Sequence, residues 1–302
     1  MKHPLLSAVA AAALLFGTAA HAGPVIIDGT DSADHGSFNG TSNINGWAYM
    51  QAALQNLGST VTGTAAKVIQ VLGTDAGSQS RVAIATAFGQ SSLGASGWTI
   101  NYVSGAAAIN SYFSTISTAN TGILYLSTAG LVSGDLDALE LAAVNANAAK
   151  INSFVSGAGN AALGGALFAQ GETGNGEFAW LSTLINGIAT TDAGAGGVGN
   201  NITLTPAGAS AFPGLTNTDL AGADPWHAYF TGNLGGLSVL GVANDASGVS
   251  RDLIIGGGVG TTLQCGVPGT PPCGVPEPGS LPLVGLAALG LGLGGLRRRK
   301  TV

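Results

Sequence analysis

Eight consecutive residues, Asp28-Gly29-Thr30-Asp31-Ser32-Ala33-Asp34-His35, carry three carboxyl groups and an imidazole. Side chains of these types can hold a hard divalent cation or exchange protons. Asp28, Asp31, Asp34 and His35 are therefore candidate metal ligands. Asp31, Asp34 and His35 are also candidate acids and bases. Their spacing is not that of an EF-hand loop, whose ligands sit at alternate positions. Asp and Gly at this density also favour tight turns and caps, so turn chemistry is the competing reading. A second constellation is Asp224-Pro225-Trp226-His227. His35 and His227 are the only histidines after residue 22. Imidazole titrates near neutral pH, so two that meet can share the work of base or ligand. A third constellation, Phe168-Ala169-Gln170-Gly171-Glu172, adds Glu172 as a candidate catalytic carboxyl.

The first and third constellations come after apolar runs of strand length, Val25–Ile27 and Ala166–Ala169. Comparable runs occur at Lys67–Leu72, Trp98–Val103 and Gly122–Leu126, and again at Ile202–Leu204, Leu237–Val242 and Leu253–Ile255. Helical segments lie between the earlier ones, at Trp47–Leu57, Arg81–Phe88, Ala106–Ile116 and Phe178–Ile185. The clearest is Asp135–Val155, where Leu136, Leu139, Ala143, Ile151 and Phe154 share one face. Asp135 or Ser133 can cap it, and Gly157 ends it. Apolar strands alternating with helices predict a single α/β domain over residues 23–262, with a doubly wound, mostly parallel sheet. In such a sheet ligands bind beyond the carboxyl ends of the strands, which is where the three constellations fall. An all-β adhesin is the competing architecture, and the long Ala-rich helix argues against it.

The ends of the chain read differently. Met1-Lys2-His3 is followed by an uncharged run to Ala20, and Ala20-His21-Ala22 places small residues at a cleavage site. This is the pattern of a secretory signal over residues 1–22. Residues 263–280 form a Pro/Gly-rich linker ending in Pro276-Glu277-Pro278-Gly279-Ser280. Leu281 to Leu296 is uncharged, and Arg297, Arg298, Arg299 and Lys300 come next. A helix of that length spans roughly 24 Å, against a hydrocarbon core of about 30 Å. Snorkelling arginines and local thinning can close the gap. The basic cluster should stay cytoplasmic, leaving the domain outside.

A Pro-Glu-Pro motif, an apolar helix and a terminal Arg cluster, in that order, resemble the PEP-CTERM sorting tail. The resemblance covers about the last 28 residues of the chain. It implies a protein exported past signal peptidase, anchored in the membrane, and processed by an exosortase that recognises Pro276, Glu277 and Pro278. It also implies a cell-surface or extracellular destination, near extracellular polysaccharide. A plain tail anchor is the alternative. The order of elements over residues 24–190 is similar to class I glutamine amidotransferase-like domains. That family places a nucleophilic Cys in the turn after the mid-sheet strand, where this chain has Ala169 or Gln170. The family's His-x-Glu pair is missing too, since His227 precedes Ala228 and Tyr229. The resemblance therefore implies a scaffold without that chemistry.

Composition narrows the partners. Residues 23–280 hold all 15 acids but only Lys67, Arg81, Lys150 and Arg251 as cations, a net charge of −11. Such a surface repels phosphate backbones and excludes nucleic acid as a partner. Cys265 and Cys273, the two cysteines, can pair in an oxidising compartment. No phosphate-binding P-loop, serine elbow or HExxH motif is present. Trp47, Trp98 and Trp180 read as core, and Trp226 as an exposed aromatic.

Three functions are consistent with these features. The first is a non-catalytic surface or matrix protein that binds or scaffolds. The second is an extracellular hydrolase using Asp31, Asp34, His35, Glu172 and His227, with a divalent cation as a candidate cofactor. The third is a carbohydrate-binding module built on Trp226. The hydrolase requires Asp31, His35 and His227 to meet, and the binding module requires Trp226 at the surface.

Overall fold

Val25–Asp28 is apolar up to its last position, and it forms a strand, β1, buried along its whole length. The computed structural model describes residues 24–61, 65–127, 135–157, 164–172, 176–193, 202–221 and 226–257. The segments read as a signal (1–22), a linker (263–280) and an apolar and basic tail (281–302), both cysteines and Asp224 lie outside these residues.

The remaining strands are β2 (Gly36–Phe38), β3 (Asn43–Asn45), β4 (Val68–Leu72), β5 (Thr99–Val103), β6 (Ile123–Leu126), β7 (Ala166–Gln170), β8 (Ile188–Asp192), β9 (Thr203–Leu204), β10 (Ala228–Gly232), β11 (Ser238–Asn244) and β12 (Ser250–Gly257). The helices are α1 (Gly46–Thr60), α2 (Gln79–Gln90), α3 (Ala106–Thr115), α4 (Ala138–Ala146), α5 (Ala148–Ser156), α6 (Leu181–Leu184), α7 (Pro206–Ala211) and α8 (Asn217–Ala221). Strands β5-β4-β6-β7-β1 lie side by side and parallel. Beyond β1 the sheet turns antiparallel, through β12, β10 and β8, with β11 and β9 branching from β12. The molecule is thus α/β with a large mixed sheet, parallel in its first half and antiparallel in its second.

Side chains alternate between the two faces of a strand, so each strand feeds two cores. Ile26, Ile69, Val71, Tyr125 and Phe168 pack under α1 and α2. Val25, Ile27, Leu72, Leu124 and Leu167 pack under α3, α4, α5 and α6. The chain leaves β1 towards the first face and leaves β7 towards the second. Adjacent strands that exit to opposite faces leave a crevice between their carboxyl ends.

Two predicted helices are corrected. Asp135–Val155 is not continuous: α4 ends at Ala146 and α5 starts at Ala148, with Asn147 between them at φ −102° and ψ 16°. The cap is Asp137, not Asp135. It accepts from the amides of Leu139 and Glu140 while Glu140 accepts from the amide of Asp137. Phe178–Ile185 contracts to the single turn of α6, because Phe178 and Trp180 are turned into the core ahead of it.

Candidate active site between β1 and β7

Asp28 ends β1 and is wholly buried. Its Oδ1 accepts from the Thr30 amide at 2.8 Å, and its Oδ2 accepts from Thr30 Oγ1 and from Gln170 Nε2, each at 3.0 Å. Gln170 Oε1 in turn accepts from the Tyr125 hydroxyl at 2.6 Å. Burial pushes the Asp28 carboxyl up to about 7, against the pull of these donors. Asp28 is therefore a turn-former and a staple to β7. Both its oxygens are engaged within the protein, and the group of potential ligands that comes together, Asp31, Glu172 and His227, does not include it.

The turn that Asp28 organises brings Asp31 over the crevice. His35 lies one turn further on, and its Nε2 is 3.0 Å from Asp31 Oδ2. The same oxygen meets His227 Nε2 at 3.4 Å. His227 arrives from the far end of the sequence because β10 starts beside the end of β1. The amides of His227 and Ala228 both donate to Gly29 O at 3.0 Å, and Thr30 bridges to Trp226. Gly29 is required there, since a Cβ would lie 2.2 Å from Ala228 O. The two histidines singled out in the sequence thus converge on one carboxyl oxygen.

Glu172 closes the group from the end of β7. One donor atom each of Asp31, Glu172 and His227 lie within 4.8 Å of one another. All three residues are buried, at 5%, 1% and 7% exposure. Asp31 Oδ1 and both oxygens of Glu172 lack a hydrogen-bond donor. Burial, then the facing Asp31, then Glu177 and Asp34 hold the Glu172 carboxyl up to about 10. The Glu172 amide donates to the Glu177 carboxyl. Asp34 is half-buried, and its carboxyl is pushed up to about 7 by burial, Asp31 and Asp135, with His227 opposing.

Asp135 and Glu177 are the acids that sequence reasoning missed. Asp135 has the local pattern of a helix cap, and it lies nine positions past the end of β6, too far for the strand-end rule that finds Asp31. Glu177 is seven positions past the end of β7, and nothing in its neighbours marks it. Asp28 is the candidate whose role is structural. The four cations of the domain are engaged elsewhere or exposed. Lys67 donates to Ser96 O, Arg81 stacks on the Tyr102 ring at 3.8 Å, Arg251 pairs with Asp245 at 2.6 Å, and Lys150 is exposed on α5.

Trp226 is corrected. It is 1% exposed, packed edge-on against Tyr229 at 6.1 Å, with its indole N–H unpartnered. A buried ring cannot stack on a sugar, so the carbohydrate-binding reading loses its aromatic. Trp47, Trp98 and Trp180 are core residues, as expected. No helix among the described residues is long and apolar enough to cross a membrane. No protein-family model matches the chain, and neither does any curated protein or solved structure.

Proposed function

We propose that the chain is an exported protein whose α/β domain hydrolyses an extracellular substrate at the crevice between β1 and β7. The convergence of His35 and His227 on Asp31 Oδ2, at 3.0 and 3.4 Å, carries this reading. An imidazole held by a carboxyl group is oriented to take a proton from water. His35 is the partly exposed member of the pair and takes the role of general base, with Asp31 orienting it. The acidic surroundings favour a neutral or cationic substrate, such as an ester, amide or glycoside. The lack of a Cys in the turn after β7 sets this chemistry apart from that of amidotransferase-like domains.

The secretory pattern at residues 1–22 and the Pro276-Glu277-Pro278 tail support export, anchoring and exosortase processing. Cell fractionation of the tagged chain tests this: the mature N-terminus should be Gly23, and P276A/E277A should accumulate the unprocessed form. Enzymatic function is tested by assaying the purified full chain on chromogenic esters, amides and glycosides, with and without added ZnCl2. Turnover that is lost in D31N supports the hydrolase. A folded wild type inert on all three classes would favour the second reading, a surface scaffold, which the deep burial of Glu172 and His227 suits better.

A further inference from the structure

The geometry points to a mononuclear divalent-cation site formed by Asp31, Glu172 and His227, taking a zinc- or manganese-type ion. It lies in the same crevice as the hydrolytic reading but does not depend on it.

Spacing is the first argument. Two ligands on a tetrahedral ion, each at about 2.1 Å, are about 3.4 Å apart. Asp31 Oδ2 and His227 Nε2 are separated by 3.4 Å, and the Glu172 oxygen falls within the same 4.8 Å group.

Unmet valence is the second. Glu172 is 1% exposed, places one oxygen in this group and has no donor for either oxygen. Asp31 Oδ1 is likewise unmet. Buried carboxyl oxygens normally find donors, because leaving them bare forfeits their hydration for nothing. Here the natural protein donors are missing. Lys67, Arg81 and Arg251 have partners elsewhere, and Lys150 is exposed. The stretches between residues 24 and 257 that lie outside the described residues contain no Lys, Arg or His. Beyond the two imidazoles, positive charge to meet these oxygens has to come from outside residues 24–257.

Charge and ligand type select the ion. Two carboxylates and a neutral imidazole are balanced by a dication, which makes the buried assembly neutral. Three protein ligands leave a position for water or substrate, as in catalytic rather than structural zinc sites. An imidazole and so few oxygens disfavour Ca2+, which takes 6–8 oxygen ligands. His35, bonded to Asp31, then orients a ligand rather than binding the ion.

The test uses the full chain, stripped with EDTA and titrated with ZnCl2, MnCl2 and CaCl2, and with CoCl2 for its visible absorption. One equivalent of Zn2+ should bind at micromolar Kd or tighter, and Co2+ should give a low-coordinate spectrum. E172Q and H227Q should each weaken Zn2+ at least 100-fold, whereas D245N should not. Glu172→Gln relieves repulsion in the metal-free protein, so this variant should fold. Its melting temperature should no longer rise with Zn2+, as that of the wild type should. Failure of the folded wild type to bind one equivalent overturns the inference, as does binding unchanged in both E172Q and H227Q. Zn2+ binding without turnover would remove the hydrolase alone. Turnover that persists in EDTA, with no stoichiometric Zn2+, would remove the ion alone.

Discussion

Gln170 donates to Asp28 at 3.0 Å, joining the last residue of β7 to the last residue of β1 under the crevice. Both side chains are buried, and Tyr125 completes the chain of hydrogen bonds. Gln170→Leu would leave the Asp28 carboxyl and the Tyr125 hydroxyl each short of a partner. The expected loss is about 2–4 kcal/mol, from roughly 1–3 kcal/mol for each buried group left unsatisfied. A lower urea midpoint with an unchanged m value would report it.

Asp28 also makes stability depend on pH. Its folded pKa of about 7 lies above the ordinary value of 3.8. The folded form holds this proton more tightly than the unfolded chain does. The contribution is complete below the ordinary value of 3.8, and it is lost as pH rises through about 7. Urea midpoints of the wild type should therefore fall between about pH 4 and about pH 8. In D28N this component should vanish, leaving a variant less stable at low pH but with a flatter profile.

If His35 is the base, H35A should lower kcat by roughly 10²–10⁴-fold, the range of general acid–base catalysis. KM should change little. A loss of stability with kcat unchanged would make His35 merely structural.

The capping box of α4 offers a control away from the crevice. Asp137→Ala should cost about 1 kcal/mol, as N-cap removals do. Glu140, which answers Asp137, also accepts from the Gly105 amide at the start of α3. Glu140→Ala should therefore be the costlier change by thermal melt, since it unties two helices.

Trp226→Ala separates two views of this tryptophan. A fully buried ring should cost about 3–5 kcal/mol on truncation. A surface binding residue would leave the melting temperature unchanged and reduce only retention on a polysaccharide column.

The parallel half of the sheet is legible in the sequence because its strands are buried on both faces and read as unbroken apolar runs, as in Val25–Ile27 and Ile123–Leu126. β8 and β10 are not legible. Ile188-Ala-Thr-Thr-Asp192 and Ala228-Tyr-Phe-Thr-Gly232 mix polar and apolar residues, as strands near a sheet edge do. The break at Asn147 is hidden because the apolar period continues across it. Asp31, His35 and Glu172 are found by inspecting the residues just past each strand, and His227 by the rarity of imidazole in this chain. Which of the clustered acids at 28–35 is a staple and which faces the crevice depends on Gln170, and no local pattern reveals that partner.

β1 lies between β7 and β12, so the first strand made needs the last one to cover its second edge. A chain emerging from its N-terminus cannot complete this arrangement until nearly all of the domain has been delivered. Such long-range pairing slows folding. Premature closure is thus disfavoured by connectivity itself, and a product truncated before Ser250 would leave the central strand with a bare edge, open to pairing with other chains.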